Sequence, residues 1–146
     1  MFGIFPEKKS IERDGELVLP ASITIDQFQE KLYIPISYWD IDSYKAQWRE
    51  SLSEGLKSRK HSGLAVTMYA ADQTSFIFIW VAYFKGNDVF IQNSVLFMDD
   101  CPDFSPSKIN EFIEPRITHD EDGEKISEWR TDLASIITFL ESLKSV

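Results

Sequence analysis

The sequence predicts an antiparallel, β-rich α+β domain, and three observations carry that expectation. Short runs of β-branched and aliphatic residues fill the first third of the chain, a three-stranded meander occupies residues 61 to 98, and amphipathic helical periodicity appears on both sides of that meander. At 146 residues the chain has the usual size of one domain and can bury one core without disulfides or metals. It contains no repeat and no linker rich in Gly, Pro or Ser, so residues 1–146 are read as a single domain.

The first strands are expected at "GELVLP" (15–20), "SITI" (22–25) and "KLYIPIS" (31–37), with a break at Pro20. Pro35 removes a ladder donor, which puts the third strand at an edge or at a bulge. The period then changes. Ile41, Tyr44, Trp48, Leu52 and Leu56 recur every three or four positions, which predicts a helix over about 42–57 with Asp40 or Asp42 as its cap. Tyr44 and Trp48 lie on the apolar stripe and are expected in the core.

"SGLAVTMYA", "SFIFIWVAYFK" and "DVFIQNSVLFM" form the meander, and Gly86-Asn87 supplies a two-residue hairpin signal. The middle strand, 74–84, is apolar on both faces, so it should lie at the centre of the sheet and be covered on both sides. "SPSKINEFIE" predicts a helix over about 106–114, with Ser105 as cap, Pro106 at the first position and Pro115 as stop. A last helix over about 132–144 is expected from Leu133, Ile136, Ile137, Leu140 and Leu143, with Thr131 as its cap. Between these helices lies "RITHDEDGEKISEW", read as a polar loop tied down at Ile126 and Trp129.

Composition narrows the function. The single cysteine, Cys101, cannot form an internal bridge, and the N-terminus is too briefly apolar for a signal peptide. The longest apolar run, 76–84, is too short to span a bilayer as a helix, so the expected location is the cytoplasm with no membrane contact. Net charge is −9. Residues 99 to 132 hold eleven acids against four bases, whereas the preceding 98 residues are nearly balanced. Direct nucleic-acid binding needs the opposite sign.

The chemical motifs are absent. Aligning Gly123 with the glycine of an EF-hand loop puts Thr118 at position 1 and Trp129 at position 12, so two essential calcium ligands are missing. His61, His119 and Cys101 match no transition-metal spacing. The carboxylates flanking Cys101 should raise its pKa rather than activate it. No Walker, G-x-S-x-G or dinucleotide motif is present. Neither a catalytic residue nor a cofactor is therefore assigned. The competing reading is a small acidic, metal-dependent hydrolase using the carboxylates of 99–124, and the bland one is a solvated surface.

An acidic face on a rigid body suits a basic partner that normally grips phosphate, since fixed carboxylates can substitute for phosphates. The stretches "MFGIF", "GELV", "PISYWDI", "SGLAVTMY", "FIFIWV", "FSPSKINEFIE", "THDEDGEKISEW" and "TDL" together resemble immunity proteins of bacterial contact-dependent growth inhibition. The resemblance is to the type whose cognate toxin carries a C-terminal nuclease domain that cuts 16S ribosomal RNA. It implies a cytoplasmic domain with a β-sandwich-like body and flanking helices that binds the toxin one-to-one, without cofactor or catalysis. It identifies no individual contact. The expected toxin-binding residues, Asp99, Asp100, Asp103, Glu111, Asp120, Glu121, Asp122, Glu124 and Trp129, follow from charge and expected exposure alone.

Overall fold

Two antiparallel sheets and two α-helices share one hydrophobic core in the computed structural model, which describes residues 1–70 and 72–144. The first sheet holds β1 (Phe2–Pro6), β2 (Ile11–Arg13), β3 (Glu16–Ile25) and β4 (Phe28–Pro35). β3 is its centre, with β4 along one side and β1 and β2 end to end along the other. The two strands expected on either side of Pro20 are therefore one. The Pro20 carbonyl accepts the Glu7 N–H at 2.8 Å, on the side where β1 and β2 part company. The missing proline donor points into that gap and breaks no ladder bond. Pro35 ends β4, which lies at the sheet edge as expected.

Helix α1 (Ile41–Ser58) matches its predicted span within a residue at each end. Asp40 caps it by accepting from the Ser43 N–H at 2.8 Å, and Arg59 closes it in a left-handed conformation. Tyr44, Trp48 and Leu52 are fully buried. The aromatic polar groups on this face find partners in the sheets and beside them. Trp48 donates to the Ala65 carbonyl at 2.8 Å, and the Tyr44 hydroxyl donates to the Pro35 carbonyl and accepts from the Met68 N–H.

The second sheet has the order β5 (His61–Ala65), β6 (Phe76–Lys85), β7 (Asp88–Phe97) and β8 (Trp129–Asp132). β5 stops well short of the nine residues expected, because the Met68 N–H is drawn to Tyr44 and leaves the ladder. The Gln47 amide substitutes for a strand at the free edge of β5, donating to the Gly63 carbonyl and accepting from the Ala65 N–H. The hairpin at Gly86-Asn87 forms as expected, with Gly86 at φ 64°.

The last third departs further from expectation. The helix predicted over 106–114 is a 3-10 helix, Pro106–Phe112, and Ser105 does not cap it but bonds Ser107 instead. The Lys108 N–H closes on the Ser105 carbonyl, and a segment bounded by Pro106 and Pro115 is too short to repay an α-helical nucleus. Trp129 does not lie in a loop but begins β8, which pairs with β7 and runs without a break into α2 (Leu133–Lys144). Thr131 is consequently buried in β8, donating to Asp26, while the α2 cap is Asp132, which accepts from the Ser135 N–H at 2.8 Å. The buried stripe of α2 is Ile136, Phe139, Leu140 and Leu143, with Ile137 on the open side. Trp129 stacks on Phe28 at 4.3 Å and lies 5.6 Å from Trp80, which joins the edges of the two sheets. No described helix is long and apolar enough to cross a membrane.

Candidate functional site

The acidic segment is laid across one face of the second sheet, and its fastening begins at Gly63. A Cβ there would stand 2.6 Å from Ile109 and 2.8 Å from Ile113, so only glycine lets the 3-10 helix seat this closely. Asn110 then ties three elements together. Its side-chain oxygen accepts from the Gly63 N–H and the Ser51 hydroxyl, its amide donates to the Ser51 carbonyl, and its carbonyl pairs with His61. Further along, the Tyr83 hydroxyl donates to the Glu114 carbonyl at 3.0 Å and Gln92 donates to the Ile117 carbonyl at 2.9 Å.

Arg116 and Glu128 form a bidentate pair at 2.7 and 2.8 Å, mostly covered by the chain, with the guanidinium 3.9 Å above the Phe90 ring. Gln92 adds a second donor to Glu128 at 2.7 Å. The Arg116 bond, and secondarily Gln92, hold the Glu128 carboxyl below the usual glutamate range against the opposing effect of burial. Arg130 is likewise engaged, with Asp88 at 2.8 Å. Two of the four bases within residues 99 to 132 are thus neutralised internally, and Lys108 and Lys125 remain.

The stretch from Thr118 to Ile126 is a closed hairpin-like loop. The Ile126 N–H donates to the Thr118 carbonyl and the Asp120 N–H to the Glu124 carbonyl, with Gly123 at φ 79° in the turn. The Asp120 carboxylate accepts from the Asp122 and Glu124 N–H groups at 3.0 and 2.9 Å, so it shapes the loop. Glu121, Asp122 and Glu124 project from the tip, exposed and without a side-chain partner among the described residues. Asp99, Asp100, Asp103 and Glu111 are also exposed and make no ion pair or side-chain hydrogen bond among the described residues. The structure therefore places two groups of carboxylates along one segment, separated by the 3-10 helix and the Arg116–Glu128 pair. Trp129 is half-buried, so most of its ring serves the joint between the sheets.

Among the described residues no three of His, Cys, Asp and Glu converge as metal ligands do. His119 is exposed and bonds the Thr118 hydroxyl, and Cys101 is buried, its thiol pushed up by burial first and by Asp100 second.

One surface escaped the reading of the sequence. β6 was expected to be covered on both faces along its length, yet Phe76 and Phe78 are 40% and 46% exposed, and Phe97, opposite Phe76 on β7, is 54% exposed. β8 pairs with only the first part of β7, from Asp88 to Ile91. Beyond it a cleft of about 490 Å³ opens between β4 and the strands β6 and β7, lined by Leu32, Tyr33, Val66, Phe78, Trp80 and Val95 among others.

Residues 34–139 match the family described as the CdiI N-terminal domain. Immunity protein CdiI of Enterobacter cloacae subsp. cloacae is 52% identical over 145 residues, covering 99% of this chain and all of that protein. A chain of the solved CdiA-CT/CdiI toxin and immunity complex from Enterobacter cloacae superposes with a TM-score of 0.96, at 52% identity and with both chains fully covered.

Proposed function

The chain belongs to the CdiI N-terminal domain family, and on that premise we propose that it is the immunity protein of a contact-dependent inhibition system, binding one-to-one and neutralising the C-terminal domain of its cognate toxin in the cytoplasm. The toxin activity we assign is that of a ribonuclease acting on 16S ribosomal RNA. The 16S ribosomal RNA target is what the resemblance of the sequence implies, and the observation that supports a phosphate-gripping partner is the row of exposed carboxylates along 99–124, beside bases that are already tied down by Glu128 and Asp88. A ribosomal RNA nuclease has to present lysines and arginines around its active site, and such a face offers them carboxylates in place of phosphates. The protein acts by occupying that surface. It needs no bond-making step, and the acids of the 118–126 loop tip serve chiefly to speed encounter.

Association kinetics with the toxin domain encoded beside this chain test the reading. The Asp120/Glu121/Asp122→Asn/Gln/Asn variant should stay folded and associate more slowly at low salt, by roughly tenfold, with little change in dissociation. High salt should slow the wild type toward the variant. Unchanged association at low salt, with cells still protected from the toxin, would show that the loop is only solvated surface.

A further inference from the structure

We propose that the exposed cluster of Phe76, Phe78 and Phe97, at the mouth of the cleft between the sheets, is the apolar anchor of the toxin interface and receives a basic side chain of the toxin between its rings and the carboxylates of Asp99 and Asp100. The proposal rests on the immunity reading above and adds a second contact region to it.

The three rings form one patch. Phe76 lies 5.4 Å from Phe78 and 6.2 Å from Phe97, on the face of the sheet that opens into the cleft. A contiguous aromatic patch left in water on a small monomer marks a contact surface, and aromatic side chains in a desolvated centre carry most of the energy of protein interfaces. Packing elsewhere in this chain does not require the exposure. The core beneath is complete, with Ile77, Ile79 and Trp80 buried.

Charge selects the occupant. No lysine or arginine occurs in residues 66–84 or 86–107, while Asp72, Asp99, Asp100 and Asp103 all fall there. The Met98 N–H donates to the Ser75 carbonyl at 2.8 Å, which brings the turn carrying Asp72 beside the one carrying Asp99 and Asp100. Across the cleft the wall carries one acid, Glu30, and one base, Lys31, with Arg13 already engaged over the Tyr33 ring. A second copy of this chain would bring the same carboxylates against themselves. A basic protein instead finds phenyl faces for its guanidinium or ammonium groups and carboxylates on the adjoining turns. The patch also adjoins the start of the acidic segment, since Phe97 precedes Asp99 by two residues. An aromatic centre with a charged border is the usual build of a specific interface.

The test uses the full chain and the CdiA-CT domain encoded with it. Phe78→Ser/Phe97→Ser, with its fold checked by thermal unfolding, should dissociate from the toxin about 50-fold faster or more, while association changes by less than about threefold. Asp99→Lys/Asp100→Lys, at exposed positions that bear no packing, should slow association about tenfold at low salt. Amide hydrogen exchange across 94–100 should slow in the wild-type complex. If the wild type binds and the phenylalanine variant dissociates at the wild-type rate, the proposal is overturned. Should that variant not fold, unchanged exchange across 94–100 together with unchanged association of the lysine variant overturns it equally. Self-association abolished by Phe78→Ser, with toxin binding intact, would assign the patch to a second copy and also refute the proposal. A wild-type chain that does not bind the toxin at all would remove the immunity reading itself.

Discussion

Arg116→Met is expected to destabilise the fold by about 2 kcal/mol at neutral pH, and the figure follows from what the arginine touches. Its guanidinium makes two charge-assisted bonds to Glu128, whose side chain is only 14% exposed, and lies over Phe90. Bonds to charged groups contribute about 1.5–3 kcal/mol, and stranding one partner of a fully buried pair costs about 3–5 kcal/mol. Partial exposure and the remaining Gln92 donor place this pair toward the lower figure. Methionine keeps much of the stem packing, so the loss reports the charge pair. The pH dependence supplies the control. Glu128 titrates below its ordinary range in the folded chain, so the pair contributes fully above the unfolded value of about 4.3, and the contribution disappears as pH falls through the folded value. Urea unfolding of both proteins from about pH 7 down to about pH 2 should show two stabilities that differ at neutral pH and converge in acid. A neutral-pH difference below about 0.5 kcal/mol, or one of equal size at both extremes, would refute the assignment of stability to this pair.

Trp80→Ala removes a buried ring from the centre of the second sheet and should cost about 3–5 kcal/mol by denaturant midpoint. Gly63→Ala forces a methyl to 2.6 Å from Ile109, so it should cost about 1–3 kcal/mol and raise amide exchange in the 3-10 helix that carries the acidic face. Asp132→Ala deletes the α2 cap and should lower the thermal unfolding midpoint, whereas Thr131→Ser, which keeps the bond to Asp26, should leave it nearly unchanged.

Local periodicity was sufficient for α1, for the turn at Gly86-Asn87 and for the two strands it joins, because those elements carry their caps, turn residues and apolar spacing within themselves. The charge imbalance of residues 99 to 132 is likewise a property of the sequence. Pairing between distant segments decided the rest. β1 and β2 exist because β3 offers them an edge, and β8 forms on β7 some forty residues upstream, which no local preference of "WRTD" demands. Position decided which charges are available. Arg116 and Glu128 look like loop charges in sequence yet neutralise each other above Phe90, while Asp120 turns inward to its own backbone. Phe76 and Phe78 carry the same alternating pattern as the buried Trp80, yet Trp80 packs against Trp129 of β8 while the first two stay exposed beside the cleft. A side chain's burial depends on what covers it, and here the cover comes from strands and loops far away in the chain.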